Sequence, residues 1–464
     1  MAGIVGIEAG GKQKEVRRML KKIAHRGRGG ELIVDHPNAT LGVVMSVMGL
    51  TGASKPPISG DGEALDSENG KAPEEIKREW RPFALAYSTD NGVLLARSRV
   101  GVRPLYYGKT VDGTVAFASE VKALMEVTQD IREFPPGAIY RSGDGIEQFT
   151  SIQPRPVRQM TPEAAALELR QTLELAISRR VDQEVMGSWL SGGLDSSVIA
   201  ALVRPRVKQL LTFTGGLPGA PDLASAREVA AHVGSKHHEV VVRPHDLPAV
   251  LPEVIYALES FDALLVRSTV INYLVGKAVA QHVSSVFSGE GGDELFAGYD
   301  YLKDLPGAQL QAELVDITNR LHNTALQRVD RSASSHGVVP HVPFLDPQVL
   351  DLALEIPSDL KLRPGNPPIE KWVLRKCIED VLPGSIVWRR KAKFWEGAGV
   401  QEVLSEHAEH TVGDADFLAG RSLPNGWVLN SKEEFLYYRI FKERYGELET
   451  LDWMGRTKGV KPQP

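Results

Sequence analysis

Residues 191–197 read SGGLDSS and stand between a short apolar strand pattern and a helical pattern. The strand pattern covers residues 187–190, and the helical pattern covers residues 198–203. Because glycine has no side chain, Gly192 and Gly193 allow the backbone to approach an oxygen-rich ligand closely. A strand, a glycine-rich loop and a helix in this order predict an α/β domain with an anion-binding loop at the end of a strand.

Three side chains of this loop indicate a phosphate and a metal ion. Ser196 and Ser197 lie where hydroxyl groups and free backbone amides face outward at the start of a helix. Asp195 would repel a phosphate unless a cation lay between them, so we interpret it as a Mg²⁺ ligand. The alternative is an ordinary strand-to-helix turn with a capping serine. The lysine-containing phosphate loop GxxxxGK[ST] does not occur in the chain.

A second loop, SGEGGDELFAGY at residues 288–299, follows a strand pattern that ends at Phe287. Ligands of open α/β sheets bind at the carboxyl ends of the strands, so the two loops are expected to share one site. Asp293 would supply a second carboxylate to the metal. Glu290 would act as a general base or orient the nucleophile. An exposed acidic turn is the alternative.

Positive charge that could neutralise a phosphate leaving group comes later in the chain. Lys391 lies in the basic run of residues 388–394, for which a solvated surface patch is the alternative. Arg267 is a further candidate because it interrupts the apolar stretch of residues 266–287, which is too polar to span a membrane. A structural ion pair is the alternative for Arg267.

The remaining sequence divides near a proline-rich segment at residues 154–156. Residues 1–153 have short strand patterns, and residues 51–71 lack any periodic face and predict a mobile loop. After the segment, Thr161 with the following proline predicts a helix start. Strand patterns then alternate with helices, which predicts a parallel sheet, and the tail from about residue 309 is mainly helical. These later strand patterns are residues 187–190, 210–213, 238–242 and 285–287.

Composition limits the binding partners and the cellular compartment that we expect. The net charge of −5 gives no indication that the chain binds nucleic acid or an anionic membrane. Cys377 is the single cysteine, so no intrachain disulfide forms, and a reducing, cytoplasmic compartment is expected. Its apolar helical surroundings predict a buried thiol. The first residues are not expected to form a signal peptide.

Taken together, these motifs resemble the glutamine-dependent asparagine synthetase family. In the later part of the chain the resemblance rests on residues 190–197, 213–223, 288–299, 342–346, 370–371 and 388–391. In the earlier part it is weaker and rests on residues 25–27, 97, 101–107, 118–124 and 134–137.

The resemblance implies two domains. Residues 1–153 would be a truncated Ntn-hydrolase-like αββα sandwich of the class II amidotransferase type. Residues 158–464 would be an ATP-pyrophosphatase domain, with a doubly wound parallel sheet and a helical tail. This second domain would bind ATP and Mg²⁺, adenylate a carboxylate, release pyrophosphate and let ammonia attack.

The family's residue roles carry over to matching positions. Asp195 and Asp293 would hold Mg²⁺, and Glu290 would receive a proton from the nitrogen nucleophile. The ATP and pyrophosphate groups would be bound by Leu190, Ser191, Gly192, Gly193, Ser196, Gly215, Ser288, Gly289 and Lys391.

The chain departs from the family pattern at the nitrogen source. The family uses a cysteine directly after the first methionine to hydrolyse glutamine, and Ala2 stands at that position. A methyl group cannot attack an amide, so the thioester route is closed. The family's Asn-Gly oxyanion segment also has no counterpart, and residues 51–80 form a shorter stretch. We therefore predict a degenerate glutaminase domain, kept as a scaffold or an interaction surface.

The acceptor pocket departs as well. Leu264 and Leu265 stand where many members have hydroxyl residues, and Val339 and His341 replace a Glu and an Arg. Aspartate is thus the default acceptor, with free ammonia or a separate glutaminase as nitrogen source. Amide formation on another carboxylate or with another amine, as in β-lactam synthetases, is the alternative. A catalytically silent binding or regulatory subunit is the alternative of another class. Homodimerisation is left open.

Overall fold

A computed structural model describes residues 2–45, 81–389 and 398–458, together with the backbone of residues 58–59 and with Ile76. In the earlier part of the chain, strands form two antiparallel sheets of order β2-β3-β1-β8-β7-β9 and β11-β10-β6-β5-β4. The strands are β1 (Gly3–Ile7), β2 (Glu31–His36), β3 (Ala39–Val44), β4 (Ile58–Ser59), β5 (Ala84–Thr89), β6 (Gly92–Arg97), β7 (Tyr106–Lys109), β8 (Val115–Ala118), β9 (Arg132–Glu133), β10 (Ala138–Arg141) and β11 (Gly145–Gln148). The helices are α1 (Gln13–Ile23) and α2 (Val121–Leu124).

The two sheets pack face to face because alternate side chains of each strand are apolar and buried. Ile4 and Leu41 of one sheet join Val93 and Leu95 of the other in one cluster. Helix α1 covers the outer face of the first sheet with residues such as Val16. On the outer face of the second sheet, the helical residue Ile76 packs against its strands. This layering confirms the predicted αββα sandwich.

The later part of the chain contains a parallel sheet of order β14-β13-β12-β15-β16. Its strands are β12 (Val185–Trp189), β13 (Gln209–Gly216), β14 (Lys236–Val241), β15 (Ser285–Phe287) and β16 (Val339–His341). The chain winds outward from β12 to β14, then returns to the other side of β12 as β15. The strand order therefore reverses between β12 and β15, the position where doubly wound sheets bind ligands.

Helices cover this sheet and build the tail, as predicted. They are α3 (Pro162–Ser178), α4 (Leu194–Val203), α5 (Pro221–Val233), α6 (Asp246–Leu258), α7 (Ala263–Val279), α8 (Gly292–Leu295), α9 (Gly307–Asn319), α10 (Ala325–Ser334), α11 (Pro347–Glu355), α12 (Ser358–Lys361), α13 (Trp372–Lys376), α14 (Gly384–Val387), α15 (Val400–Thr411), α16 (Asp414–Gly420) and α17 (Lys432–Tyr445). The Thr161 side chain accepts a hydrogen bond from Ala164 N, which confirms the predicted helix start.

Other expectations from the sequence have mixed outcomes. The apolar stretch of residues 266–287 forms part of α7 and all of β15, and among the described residues no helix is long and apolar enough to cross a membrane. Cys377 is buried, and burial raises the pKa of its thiol to about 12. The predicted mobile loop of residues 51–71 lies outside the described residues, apart from the backbone of residues 58–59. The boundaries 1–153 and 158–464 stay predictions.

Candidate adenylating site

The loop of residues 191–197 joins β12 to α4 at the carboxyl edge of the parallel sheet. Gly192 has a positive φ of 73°, and a Cβ there would lie 2.6 Å from the backbone nitrogen of Ala226. Ser191 Oγ lies 3.2 Å from Ser196 Oγ, and Ser197 Oγ donates to Gly193 O at 2.7 Å. The predicted phosphate loop therefore has a tight turn and three serine hydroxyl groups near the start of a helix.

The second loop packs directly against the first, and glycines make this contact possible. A Cβ at Gly289 would lie 2.7 Å from Ser196 N. A Cβ at Gly292 would lie 2.6 Å from Asp195 Cγ. No side chain fits at such separations, so both positions require glycine. The structure thus brings together the two loops that the sequence predicted to share a site.

The ammonium group of Lys371 joins the two predicted metal ligands. Its Nζ forms ion pairs with Asp195 Oδ2 and, at 2.5 Å, with Asp293 Oδ1. Burial opposes its charge, but the two carboxylates outweigh burial and raise the pKa of Lys371 above its usual range. A side chain at Gly298 would collide with both Asp293 and Lys371. The sequence noted Lys371 only within a family motif and gave it no role.

The two carboxylates suit a hard divalent cation because their oxygens converge on a single nitrogen atom. Among the described residues, no group of three His, Cys, Asp or Glu side chains could hold a metal by itself. Mg²⁺ is commonly held by one or two carboxylates together with substrate phosphates. The donor set therefore fits a Mg²⁺ that arrives with a nucleotide.

Glu290 is bound by a side chain of helix α10. Its carboxylate forms an ion pair with Arg328, and its backbone nitrogen donates to Ser288 Oγ at 3.3 Å. The neighbouring Glu294 is buried and accepts a hydrogen bond from Tyr299. Burial, together with the nearby carboxylates, raises the pKa of Glu294 to about 8. At neutral pH the loop therefore carries less negative charge than its three acidic residues suggest.

Arg389 is a cation at the first loop that the sequence did not single out. Its Nη1 donates to Gly192 O at 3.1 Å, and its Nη2 lies 3.4 Å from Asp222 Oδ1. Burial raises the pKa of Asp222 to about 6, although Arg389 counteracts this shift. Lys391 lies outside the described residues. Arg389 shows that the basic run reaches the loop, which residue type and spacing alone could not reveal.

Arg267 is placed away from these loops. Its guanidinium group forms an ion pair with Glu433 of helix α17, and its Nη2 donates to Ser405 Oγ at 3.0 Å. The structure therefore shows the structural ion pair, which was the alternative interpretation. Helix α7 places Arg267 beside the tail helices because its neighbours Val266 and Val270 face the core.

Three more predicted positions are placed by packing. Leu190 is buried, and its nitrogen donates to Phe213 O at 2.8 Å. A Cβ at Gly215 would lie 2.9 Å from Ile271 Cγ2, so packing against α7 already requires glycine there. Ala2 is buried, and its carbonyl oxygen accepts from Arg26 Nε at 3.3 Å. The adenosine-site roles of Leu190 and Gly215 stay predictions.

Known proteins are similar to this chain in sequence. The family model for asparagine synthase matches residues 168–315 and 307–458, which together are more than half of the chain. The model for a glutamine amidotransferase domain matches residues 74–142. Asparagine synthetase B [glutamine-hydrolyzing] of Escherichia coli (strain K12) is 36% identical over 388 residues, which cover 78% of this chain and 69% of that protein.

The chain belongs to the asparagine synthase family. As a member it is an ATP-dependent, AMP-forming carbon–nitrogen ligase. A second relative in the family, asparagine synthetase [glutamine-hydrolyzing] 2 of Arabidopsis thaliana, is 35% identical over 78% of this chain and 66% of its own length. Among solved structures, an allosteric regulatory enzyme of purine biosynthesis matches 52% of this chain and 80% of its own at 13% identity. The TM-score of that match is 0.27, which adds nothing to the assignment.

Proposed function

We propose that this asparagine synthase family member adenylates a carboxylate with ATP and transfers ammonia to it without hydrolysing glutamine itself. The contact between the two glycine-rich loops at the switch point of the sheet carries the proposal, since Lys371 pairs there with both Asp195 and Asp293. Aspartate, which would give asparagine, is the default acceptor. AMP and pyrophosphate would be the other products.

The first loop would hold the ATP phosphates through its backbone amides and hydroxyl groups, as helix starts do for anions. Lys371 and Arg389 would add positive charge where it builds up on the leaving pyrophosphate. Lys391 is proposed for the same task. The nucleotide-binding set would be Leu190, Ser191, Gly192, Gly193, Asp195, Ser196, Gly215, Ser288 and Gly289.

Asp195 and Asp293 would hold Mg²⁺, which when bound neutralises phosphate charge and orients the phosphoryl groups. Glu290 would then accept a proton from the attacking nitrogen. Its ion pair with Arg328 fixes the carboxylate at the entrance of the second loop. A general base needs such fixing because a small misplacement weakens proton transfer.

The nitrogen would come from free ammonia or from a separate glutaminase. Thioester chemistry needs a thiol, and the single thiol of the chain, Cys377, is buried in the later part. Its raised pKa keeps it protonated and therefore a poor nucleophile. Ala2 cannot replace it.

A different acceptor carboxylate is the second candidate, and His341 favours it. The family resemblance places an arginine at this position, at the end of β16 beside the second loop. Burial, with Arg103 and Arg180 nearby, lowers the pKa of His341 to about 3, so the ring is neutral at physiological pH. His341 therefore does not supply the positive charge that an arginine at this position would offer to an acceptor carboxylate.

The test is pyrophosphate release from the purified protein with ATP and Mg²⁺. A panel of carboxylic acids is supplied with ammonium, with glutamine, or with other amines, and Asp195→Asn serves as the inactive control. We expect release with aspartate and ammonium, an amide product by mass spectrometry, and none with glutamine when ammonia is excluded.

Three other outcomes would count against parts of this proposal. Release with another acid alone would replace aspartate as the acceptor. Release with glutamine in the absence of ammonia would refute the lost glutaminase activity. No release with any acid would indicate the silent subunit.

A further inference from the structure

Six charged side chains meet in the interior between the two parts of the chain. The earlier part contributes Arg26, Glu120 and Lys122, and the later part contributes Glu259, Asp330 and Arg331. All six are buried. With three positive and three negative groups the set is neutral, and we call it the interdomain ion cluster. Removing one partner of such a set is costly because it leaves an uncompensated buried charge.

Arg26 is the centre of this cluster. Its two terminal nitrogens bind the two oxygens of Asp330 at 2.9 and 3.0 Å. It also contacts Glu120 Oε1 at 2.5 Å and donates to the Ala2 carbonyl oxygen. A bidentate arginine–carboxylate pair fixes both distance and angle. Arg26 therefore clamps Ala2, the residue before the first strand of the sandwich, to helix α10.

Helix α10 connects the Arg26–Asp330 ion pair to the adenylating site. Asp330 and Arg328 are two residues apart, so they leave the helix on different sides. Asp330 faces the interdomain ion cluster, and Arg328 binds Glu290. The chain after α10 continues into β16, where His341 O accepts from Ser288 N at 2.8 Å. The helix and its following strand thus contact the second loop at two points.

We propose that the interdomain ion cluster sets the position of Glu290 through helix α10, with Arg26 and Asp330 as positioning residues. The sandwich domain, without its nucleophile, then acts as a fixed support for the step in which ammonia attacks. This inference rests on the proposed function in one respect, the role of Glu290 as proton acceptor.

The test uses the full chain with Arg26→Met and Asp330→Asn combined. This double variant removes the clamp and leaves two positive and two negative groups, so the cluster stays neutral. We expect kcat/KM for ammonia to fall about tenfold or more, because misplaced catalytic groups lose rate steeply. KM for ATP should change less than about twofold, since the first loop is untouched.

Arg99→Met is the matched control. Arg99 also joins the two parts of the chain, through Asp351 at 2.6 Å, but this pair does not involve α10. Asp351 keeps a second partner in Arg155. The control should retain wild-type values. Arg26→Lys, which keeps the charge and loses the bidentate pair, should lose about threefold and serves if the double variant does not fold.

Two further measurements separate positioning from a general structural effect. In a Glu290→Gln background the double variant should cause less than about a twofold further loss, as coupled residues do. A full additional loss, or an equal loss in Arg99→Met, would overturn the proposal. Hydrogen exchange of residues 288–295 should speed up in the double variant and not in Arg99→Met. This readout needs no turnover, so unchanged exchange refutes the positioning even if the proposed function fails.

Discussion

At the scale of single residues, the backbone conformation of Lys371 shows how its ammonium group is held between two carboxylates. Its φ of 55° is unusual for a residue with a side chain, and its backbone nitrogen donates to Phe296 O at 3.1 Å. This conformation costs free energy, which the surrounding contacts must offset. The two carboxylates of Asp195 and Asp293 supply such contacts. Strained backbone of this kind concentrates at ligand-binding and catalytic positions, so it supports the proposed role of Lys371.

Lys371→Met should lower the rate of pyrophosphate release by about 100-fold, since a preorganised charge at the leaving group is lost. The variant should also have a lower thermal midpoint in EDTA, because two facing carboxylates lose their cation, and Mg²⁺ should restore more stability than in the wild type. Lys376→Met, in the helix that follows Lys371, is the control, because its partner Glu379 is exposed. An unchanged rate would remove Lys371 from the site.

At the scale of elements, helix α12 ends on an unusual interior group. Lys361 is fully buried, and its Nζ donates to Gln311 Oε1 of helix α9 at 3.2 Å. Burial alone lowers the pKa of Lys361 to about 7. The unfolded chain, with an ordinary lysine, binds a proton over a range of pH in which the folded chain does not.

The free energy of unfolding should therefore rise with pH between about 7 and 10, with a contribution from Lys361 of up to about 1.4 kcal/mol per pH unit. Lys361→Met should remove this contribution and stabilise the protein at pH 7. Denaturant unfolding at several pH values measures the slope. Lys208→Met at the exposed surface should keep the wild-type slope, and identical slopes in all three proteins would contradict the assignment.

At the scale of the whole molecule, the two parts of the chain share one core. A single apolar cluster joins Val5 and Val16 of the sandwich with Leu258 and Phe441 of the later part. The ring of Tyr106 meets the ring of Trp453 edge-on, with centroids 6.0 Å apart. Together with the interdomain ion cluster, this packing buries side chains of the sandwich against the later part of the chain.

Scanning calorimetry should accordingly show one unfolding transition, because neither part can separate without exposing apolar surface and buried charge. Cleavage at a protease site inserted near residues 154–156 should leave the two fragments associated in gel filtration. Two resolved transitions, or fragments that elute apart, would show that the parts are independent.

A local sequence pattern was sufficient to predict structure that depends only on residues adjacent in the sequence. Gly192, Gly193 and Asp195 lie in a loop whose strand and helix are adjacent in sequence, so this strand–loop–helix unit could be predicted from spacing alone, while its ligand stays a prediction. The same holds for the helix start at Thr161. Strand β16 was not predicted, because its short run at Val339–His341 is extended only by pairing with β15.

The sequence by itself therefore determined the two glycine-rich loops of residues 191–197 and 288–299, the doubly wound sheet and the absence of a thiol in the sandwich. Only the tertiary structure decided which cationic side chains contact these loops. Lys371 reaches Asp195 across 176 positions, and Arg328 reaches Glu290 across 38. It also moved Arg267 from the site to an ion pair with Glu433. Charge pairs over such separations depend on how elements pack, and a local pattern contains no information about that packing.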